Sequence, residues 1–236
     1  MNAALLLLTD SRLPAGGHAH SGGTEQAITS GAVHDVRSLA GFLRGRLRTT
    51  GTVTAALTAA ACAASAHPAV AWGRLDAEVD ARTAAPAQRT ASRTQGRLLL
   101  RVARRIWPSP VLDEVARAVP DPHHPLALGA AAHAAGATPE EAAMAAAYHA
   151  ISGPATAAVR LLGLDPVAVH ALLAKLTPEL TAVAAEAGLA ATGTCPEPGL
   201  PFAQEAAWAA LPAYSAPALD LLAELHTRAE LRLFVS

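Results

Sequence analysis

The chain has 236 residues, of which 52% are hydrophobic and only 3% aromatic, and its formal net charge is −1. A chain of this length can bury a sizeable core, which must be built from alanine, leucine and valine because aromatic residues are scarce. The near-neutral charge excludes a protein whose whole surface attracts nucleic acid or acidic membranes, so any such binding would be local.

The N-terminal third is expected to contain a contact loop and two helices. An apolar element, Asn2 to Thr9, precedes a loop with four glycines that leads into a helix near Ser21. Such a loop can adopt unusual backbone angles and approach another backbone closely, which predicts a contact role for residues 10–24. Val36 to Leu47 has the apolar spacing of one helix face. Thr52 to Ala66 predicts a buried alanine-rich helix, too short to span a membrane.

Two features indicate a reducing, cytoplasmic location. The apolar run Leu5 to Leu8 is too short for a signal peptide and lacks its basic start. Cys62 and Cys195 lie far apart and outside any CxxC pair, which indicates neither a disulfide framework nor a zinc ribbon. We therefore expect a soluble cytoplasmic protein.

The next two helices carry the main charge feature. Ala69 to Ala84 predicts an amphipathic helix, and Ala87 to Ile106 predicts another with one apolar side. The residues expected to point inward are Trp72, Leu75 and Val79 on the first helix, and Leu98, Leu99, Val102 and Ile106 on the second. The second helix also has an arginine at every fourth position: Arg89, Arg93, Arg97, Arg101 and Arg105.

This arginine row has two interpretations. The nearby acids that precede it are taken to be Glu78 and Asp80, so most of its guanidinium groups are expected to lack a local partner. The row is then either a solvated helix face or an interface for an acidic protein surface. Nucleic acid is a weaker alternative because the aromatic side chains that would stack on bases are missing.

The rest of the chain is expected to be organised around residues 126–164. A short apolar helix ends at Gly136, and Thr138-Pro139-Glu140-Glu141 forms a capping box with proline at the first helical position. The segment that follows is apolar nearly all round, which predicts a buried central helix. We expect it to be bent and interrupted at Gly153-Pro154, because proline removes a backbone donor and clashes with the preceding turn.

The C-terminal part continues in helices. Asp165-Pro166 and Thr177-Pro178 each predict an N-cap followed by a helix. Gly193 to Pro201 is expected to be a flexible loop, followed by helices over Phe202 to Leu211 and Ala216 to Leu231. The tail, 226–236, is expected to dock either on the core or on a partner. Because no stretch alternates like a strand and no repeat recurs, residues 1–236 are predicted to form one all-α bundle of about ten helices.

Catalytic and metal signatures are weak. The sequence contains no GxxxxGK[ST], GxGxxG, HExxH or GxSxG, so no catalytic residue is predicted. Imidazole suits nickel, zinc or copper, but no Cys, Asp or Glu stands at companion spacing, so the histidines are only weak metal candidates. These candidates are His18, His20, His123 and His124. The alternatives to an interaction protein are therefore a nickel-binding metallochaperone and a helical enzyme acting on a small acidic substrate.

Four stretches together resemble the UreF family of urease accessory proteins. They are LLLLTDSRLPAGGHAHSGGTE, ASRTQGRLLLR, HHPLALGAAAHAAG with AAVRLLGL, and HTRAELRLFVS, and they span nearly the whole chain in the family's order. The chain departs from the family pattern at His18, Gly153-Pro154, Ala168-Val169, Thr227 and Ala229.

The resemblance implies a non-catalytic all-α chaperone that forms a homodimer. It implies binding to the scaffold protein UreD (also called UreH) and recruitment of the GTPase UreG, so that nickel reaches apo-urease. No resident cofactor is expected, since nickel is handled by the complex. The residues expected to bind partners are Ser21, Glu25, Arg93, Gln95, Arg97, Arg160, His226, Arg232 and Phe234.

Overall fold

A computed structural model describes residues 3–192 and 207–236, and in these ranges the chain is helical with no β-strand. The helices are α1 (Ala3–Thr9), α2 (Thr24–Thr29), α3 (Val36–Arg46), α4 (Thr52–Ala64), α5 (Trp72–Ala81), α6 (Pro86–Ile106), α7 (Pro110–Ala118), α8 (His124–Ala134), α9 (Pro139–Leu162), α10 (Pro166–Lys175), α11 (Thr177–Thr192) and α12 (Pro217–Arg228). The all-α prediction is confirmed. Cys195, the predicted loop Gly193 to Pro201 and the start of the helix predicted from Phe202 lie outside the described residues.

Helix α9 packs against α1, α2, α3, α4, α8, α10 and α11, which confirms the predicted central position of this segment. Helix α4 lies beside it and packs against α8, α9 and α11. Nearly all of its residues are buried, as its alanine-rich sequence predicts. At Gly129 on α8, a Cβ atom would lie 2.4 Å from the carbonyl oxygen of Thr58 and 2.6 Å from Cβ of Ala61. The backbones of α4 and α8 therefore touch, and only small side chains allow this spacing.

Helix α9 starts as predicted but is not interrupted. Thr138 Oγ1 accepts a hydrogen bond from the Glu141 backbone N–H at 3.2 Å, and Glu141 Oε2 accepts one from the Thr138 N–H at 3.1 Å. The helix then runs without a break through Pro154 to Leu162, so the predicted interruption is wrong. Pro154 has no N–H for the Ala150 carbonyl, and Arg46 Nε donates to that oxygen instead, at 2.8 Å.

Arg46 also links α9 to the glycine-rich loop. Its Nη1 donates to the carbonyl oxygen of Gly22 at 2.8 Å. A Cβ at Gly22 would lie 3.1 Å from both this guanidinium group and Pro154, at a φ of 61° that favours glycine. Burial lowers the pKa of Arg46 to about 10, so the group stays charged at neutral pH. Arg46 thus ties the loop to the helix at the proline.

Helices α3 and α4 are joined without a loop. Residues Leu47–Gly51 form a π-helical turn between them, so the two predicted helices are one continuous rod from 36 to 64. Thr52 Oγ1 donates to the carbonyl oxygen of Leu47 at 3.0 Å within this turn.

Three predicted boundaries or faces need correction. Helix α5 starts at Trp72 rather than Ala69, which has a φ of 57° that no helix accommodates. Ile106 is 45% exposed rather than inward, because the last turn of α6 extends past the core. Helix α12 ends at Arg228 rather than at Leu231, because the chain becomes extended at Ala229 and turns back toward the N-terminal loop.

Among the helices of residues 3–192 and 207–236, none taken singly is long and apolar enough to cross a bilayer.

Candidate functional site

A cleft of about 890 Å³ opens where the N-terminal loop, α6, α9, α12 and the C-terminal tail meet. Its lining includes Gln95 and Arg232, two of the residues predicted to bind partners. It also includes His18, His20 and His124, three of the four weak metal candidates. The sequence therefore identified a set of residues that the fold brings to one place from distant parts of the chain.

The tail lies along the floor of this cleft and pairs with the glycine-rich loop. The backbone N–H of Ser21 donates to the carbonyl oxygen of Ser236 at 2.5 Å, and the N–H of Val235 donates to Ala19 at 2.8 Å. The Ser236 hydroxyl lies 2.6 Å from Nδ1 of His20. These contacts make residues 19–21 the docking strip for the tail.

Glu25 and His226 fix the preceding residues of the tail. The two carboxylate oxygens of Glu25 accept the backbone N–H groups of Leu233, at 2.7 Å, and Phe234, at 3.1 Å. His226 is buried, and its Nε2 donates to the Phe234 carbonyl at 3.2 Å, because a carbonyl oxygen can only accept. Its Nδ1 lies 3.7 Å from Glu25.

Phe234 anchors the tail through its ring. The ring is buried, and the guanidinium carbon of Arg160 lies 5.0 Å from its centroid, which is a cation–π contact. We call residues 19–21, Glu25, Arg160, His226 and 233–236 the tail clasp. In the clasp the tail docks on the core, one of the two predicted alternatives, while Leu231 and Leu233 remain 94% and 78% exposed.

A second polar cluster lies between α5, α6 and the loop before α8. Arg93 Nη1 donates to Asp76 at 2.9 Å and to the carbonyl oxygen of Asp121 at 2.7 Å, and its Nη2 donates to Asp80 at 2.5 Å. His123 Nε2 lies 2.9 Å from Asp80 Oδ1, and its Nδ1 lies 3.0 Å from the Ser92 hydroxyl. We call Asp76, Asp80, Ser92, Arg93 and His123 the arginine network.

The network is closed by a tight backbone contact. A Cβ at Gly96 would lie 2.1 Å from the carbonyl oxygen of Pro122 and 2.8 Å from the backbone nitrogen of His124. Ser92 Oγ accepts the His124 N–H at 3.1 Å. The Ser-x-x-Gln-Gly-Arg stretch of α6 therefore holds the loop before α8 in place.

This network gives acidic partners to two of the five arginines in the row. Within the described residues the other three, Arg89, Arg101 and Arg105, have no ion pair, as predicted for most of the row. Arg93 is paired with Asp76 and Asp80, and Arg97 with Asp121 at 3.1 Å. Asp80 is one of the acids that the sequence analysis names, but Asp76 was overlooked. Asp121 was missed because it lies in the loop after α7, far from Arg97 in the sequence. Asp76 and Asp80 stand four residues apart, a spacing that could have predicted one acidic helix face.

The arginine network is also the one place among residues 3–192 and 207–236 where three potential metal ligands converge. Ligand atoms of Asp76, Asp80 and His123 lie within 4.8 Å of one another. Arg93 already bridges both carboxylates, and the backbone N–H of His123 donates to Asp76 at 2.9 Å. With these oxygens taken by donors, the residues fit an internal ion network better than a metal site.

Electrostatics differ between the network and the cleft. Burial opposes the ionisation of Asp80, but the hydrogen bond from His123 and the charge of Arg93 hold its pKa below the ordinary value. In the cleft, burial lowers the pKa of His124 to about 3 and that of His149 to about 4. Burial and the nearby His18 lower that of His20 to about 4. The imidazoles of His20, His124 and His149 are therefore neutral at physiological pH.

Comparison with known proteins gives a consistent result. Residues 33–177 match the family model described as UreF. A urease accessory protein UreF from Mycolicibacterium vanbaalenii is 45% identical over 234 residues, covering 99% of this chain and 98% of that protein. A UreF protein of Mycobacterium sp. (strain JLS) is 46% identical over 98% of this chain and 97% of its own length. That of Mycobacterium tuberculosis (strain H37Rv) is 40% identical over 99% of this chain and 98% of its own length.

Proposed function

Because this chain belongs to the UreF family of urease accessory proteins and is not an enzyme, we propose that it acts in urease maturation by holding other proteins together. In this proposal it binds UreD (UreH) and recruits the GTPase UreG, so that nickel is inserted into apo-urease. It works in the cytoplasm as a homodimer and modulates the GTPase cycle of UreG without hydrolysing GTP. Family membership supports the coarse role, and the exposed apolar side chains of the tail support a surface for binding other proteins.

The observation that carries the proposal is the way in which the tail is displayed. The clasp holds the tail by its backbone and by Phe234, so its position is defined before any partner arrives. Leu231 and Leu233 then point to solvent. On α12, Leu221 and Leu225 are also exposed, one helical turn apart. An ordered apolar surface of this kind is typical of a protein interaction site.

The geometry assigns different parts to the predicted partner-binding residues. Ser21, Glu25, Arg160, His226 and Phe234 position the tail, so a change in them would act on binding indirectly. Gln95 and Arg232 line the cleft and remain candidates for direct contact. Arg93 and Arg97 pair within the chain, and we assign them to the fold in the first place.

A nickel-binding metallochaperone is a less favoured alternative. Three of its four candidate histidines lie in the cleft, but His20 contacts Ser236 and His123 contacts Asp80 and Ser92. Stable, stoichiometric nickel binding by the isolated chain would favour this alternative over the assembly role.

The experiment is co-purification of the tagged chain with UreD and UreG from the same source, with and without GTP and nickel. Leu231→Ser/Leu233→Ser removes two exposed side chains whose burial at an interface is worth about 2–4 kcal/mol, so we expect at least about 30-fold weaker capture. Val167→Ser/Leu189→Ser is the matched control, because these side chains are both 75% exposed on other helices. It should leave capture unchanged.

Three outcomes decide the proposal. Loss of capture in the tail variant alone supports both the assembly role and the tail as its interface. Equal capture by parent and both variants keeps the assembly role but refutes the tail interface. A parent chain that captures neither partner refutes the assembly role itself.

A further inference from the structure

The arginines of helix α6 differ in whether they have an acidic partner within the chain. Arg93 and Arg97 pair with acids, and Arg104 pairs with Asp113 at 2.7 Å. Arg101 and Arg105 are exposed, and within the described ranges neither has an ion pair or a side-chain hydrogen bond. The same is true of Arg117 on α7, so three guanidinium groups in this region are without a partner in the described chain.

Two ion pairs along α6 and α7 show where Arg101, Arg105 and Arg117 lie relative to one another. Arg97 meets Asp121, and Arg104 meets Asp113, so the two helices run antiparallel along this stretch. On α6, residues 97, 101 and 104 share one face, and on α7 residues 113 and 117 share another. Arg101 and Arg117 therefore occupy the positions between the two ion pairs, on facing stripes. Arg105 follows one turn after Arg101.

The three acids of this surface each accept a hydrogen bond from a side chain of the same protein. Asp113 accepts from Arg104 Nε at 2.8 Å, Asp121 accepts from Arg97, and Glu114 accepts the indole N–H of Trp72 at 3.1 Å. Asp113 and Asp121 are neutralised by Arg104 and Arg97, while Glu114 bonds a neutral indole and forms no ion pair with Arg101, Arg105 or Arg117. Five arginines stand against three acids here, so a local excess of two positive charges persists on a chain whose net charge is −1.

We propose that Arg101, Arg105 and Arg117 form a docking surface for an acidic segment of a partner protein. Guanidinium groups bind carboxylates through paired N–H donors, and the flanking ion pairs hold the helices that carry them in a fixed relation. The exposed Ile106 adds apolar contact at the edge of the surface. Nucleic acid fits less well, because three cations can neutralise only about three phosphates, too few for tight binding at physiological salt.

This surface goes beyond the proposed function, because it is built on α6 and α7 and uses no residue of the tail clasp. An acidic segment bound there can belong to a protein that never touches the tail. The test therefore probes the surface directly, without UreD or UreG, and its failure leaves the assembly proposal intact.

The test measures binding of a fluorescently labelled oligoglutamate peptide by anisotropy at low salt, with oligoglutamine as the neutral reference. We expect Arg101→Gln/Arg117→Gln to weaken binding at least about tenfold, because two charge-assisted contacts are lost. Arg37→Gln/Lys175→Gln removes the same charge from exposed positions on α3 and α10 and is the matched control. It should keep binding within about twofold of the parent.

A second variant and a second probe make the result decisive. Arg105→Glu reverses a single exposed charge, so it tests the surface even if the double variant fails to fold, and it should weaken oligoglutamate binding as well. Equal weakening in the two double variants would show a general charge effect and overturn the proposal. So would a parent chain that ignores oligoglutamate but binds a DNA oligonucleotide through Arg101 and Arg117.

Discussion

The arginine network and the tail clasp both use charged side chains to bind backbone groups. They differ in whether the side chains next to them are covered by the chain or exposed to solvent. In the network, Arg93 meets two carboxylates and a carbonyl, and Gly96 brings two backbones into contact. In the clasp, Glu25 spends both oxygens on backbone N–H groups, and the adjoining leucines stay exposed. The network is complete within the chain, whereas the clasp presents a surface that the chain itself does not cover.

The largest expected effect breaks the network at its tightest contact. Gly96→Val would push side-chain atoms into the carbonyl of Pro122, and overpacking of this severity costs about 3 kcal/mol or more. Chemical denaturation should show the loss in the free energy of unfolding. Gly41→Ala on exposed α3 is the control, because a Cβ there meets nothing within 4 Å. It should stabilise the protein by about 0.5–1 kcal/mol, and equal effects would contradict the close approach at Gly96.

The next effect separates a structural arginine from a surface one. Arg93→Ala leaves the buried Asp76 carboxylate without its charged partner, so we expect a loss of about 2–3 kcal/mol in unfolding free energy. Arg97→Ala removes a pair in which both side chains are more than half exposed, and should cost less than about 1 kcal/mol. If the two variants are equally stable and only Arg93→Ala loses partners, Arg93 serves an interface rather than the fold.

A smaller effect tests the clasp. Glu25→Gln keeps one acceptor oxygen but loses the charge, so we expect about 1 kcal/mol less stability and faster hydrogen exchange at the N–H groups of Leu233 and Phe234. Glu230→Gln makes the same change at an exposed position close to the tail and should alter neither property. Unchanged exchange in Glu25→Gln would mean that Phe234 alone holds the tail.

The smallest effect concerns pH. His149 has a pKa of about 4 in the folded chain and about 6.5 when unfolded, so the unfolded state binds more protons between these values. Stability is therefore lost as the pH falls below about 6.5, by less than about 1 kcal/mol per histidine between pH 7 and 6. His149→Gln should flatten this loss, measured by denaturation at several pH values. His67→Gln, at an exposed position, is the control and should retain the pH dependence of the parent chain.

Much of the secondary structure could be predicted from local signals. Some signals act within a few residues, so the sequence suffices to place them. They are the capping box at Thr138, the prolines in the first turn of α6, α10 and α11, and the apolar run of α4. The errors lie where a distant group intervenes. Pro154 does not interrupt α9 because Arg46, more than 100 residues earlier, satisfies the freed carbonyl.

In the candidate site, too, the sequence failed where residues far apart in the chain come into contact. Five residues of the clasp, Ser21, Glu25, Arg160, His226 and Phe234, were predicted as partner-binding residues from three separate stretches. Their roles were not predicted, because the bonds between Glu25 and the tail join positions more than 200 residues apart. Arg93 and Arg97 looked free in sequence because Asp76 and Asp121 reach them only after α5, α6 and α7 have packed.

The sequence by itself determined an all-α chain, an alanine-rich core and membership of the UreF family. Composition, periodicity and motif order can be read without knowing how the helices pack. Tertiary structure alone decided which charges are paired and which remain free. An ion pair requires contact within about 4 Å, and no local pattern encodes which helix will supply the partner. That difference separates the arginines of α6 that pair with acids, Arg93, Arg97 and Arg104, from Arg101 and Arg105, which have no ion pair within the described residues.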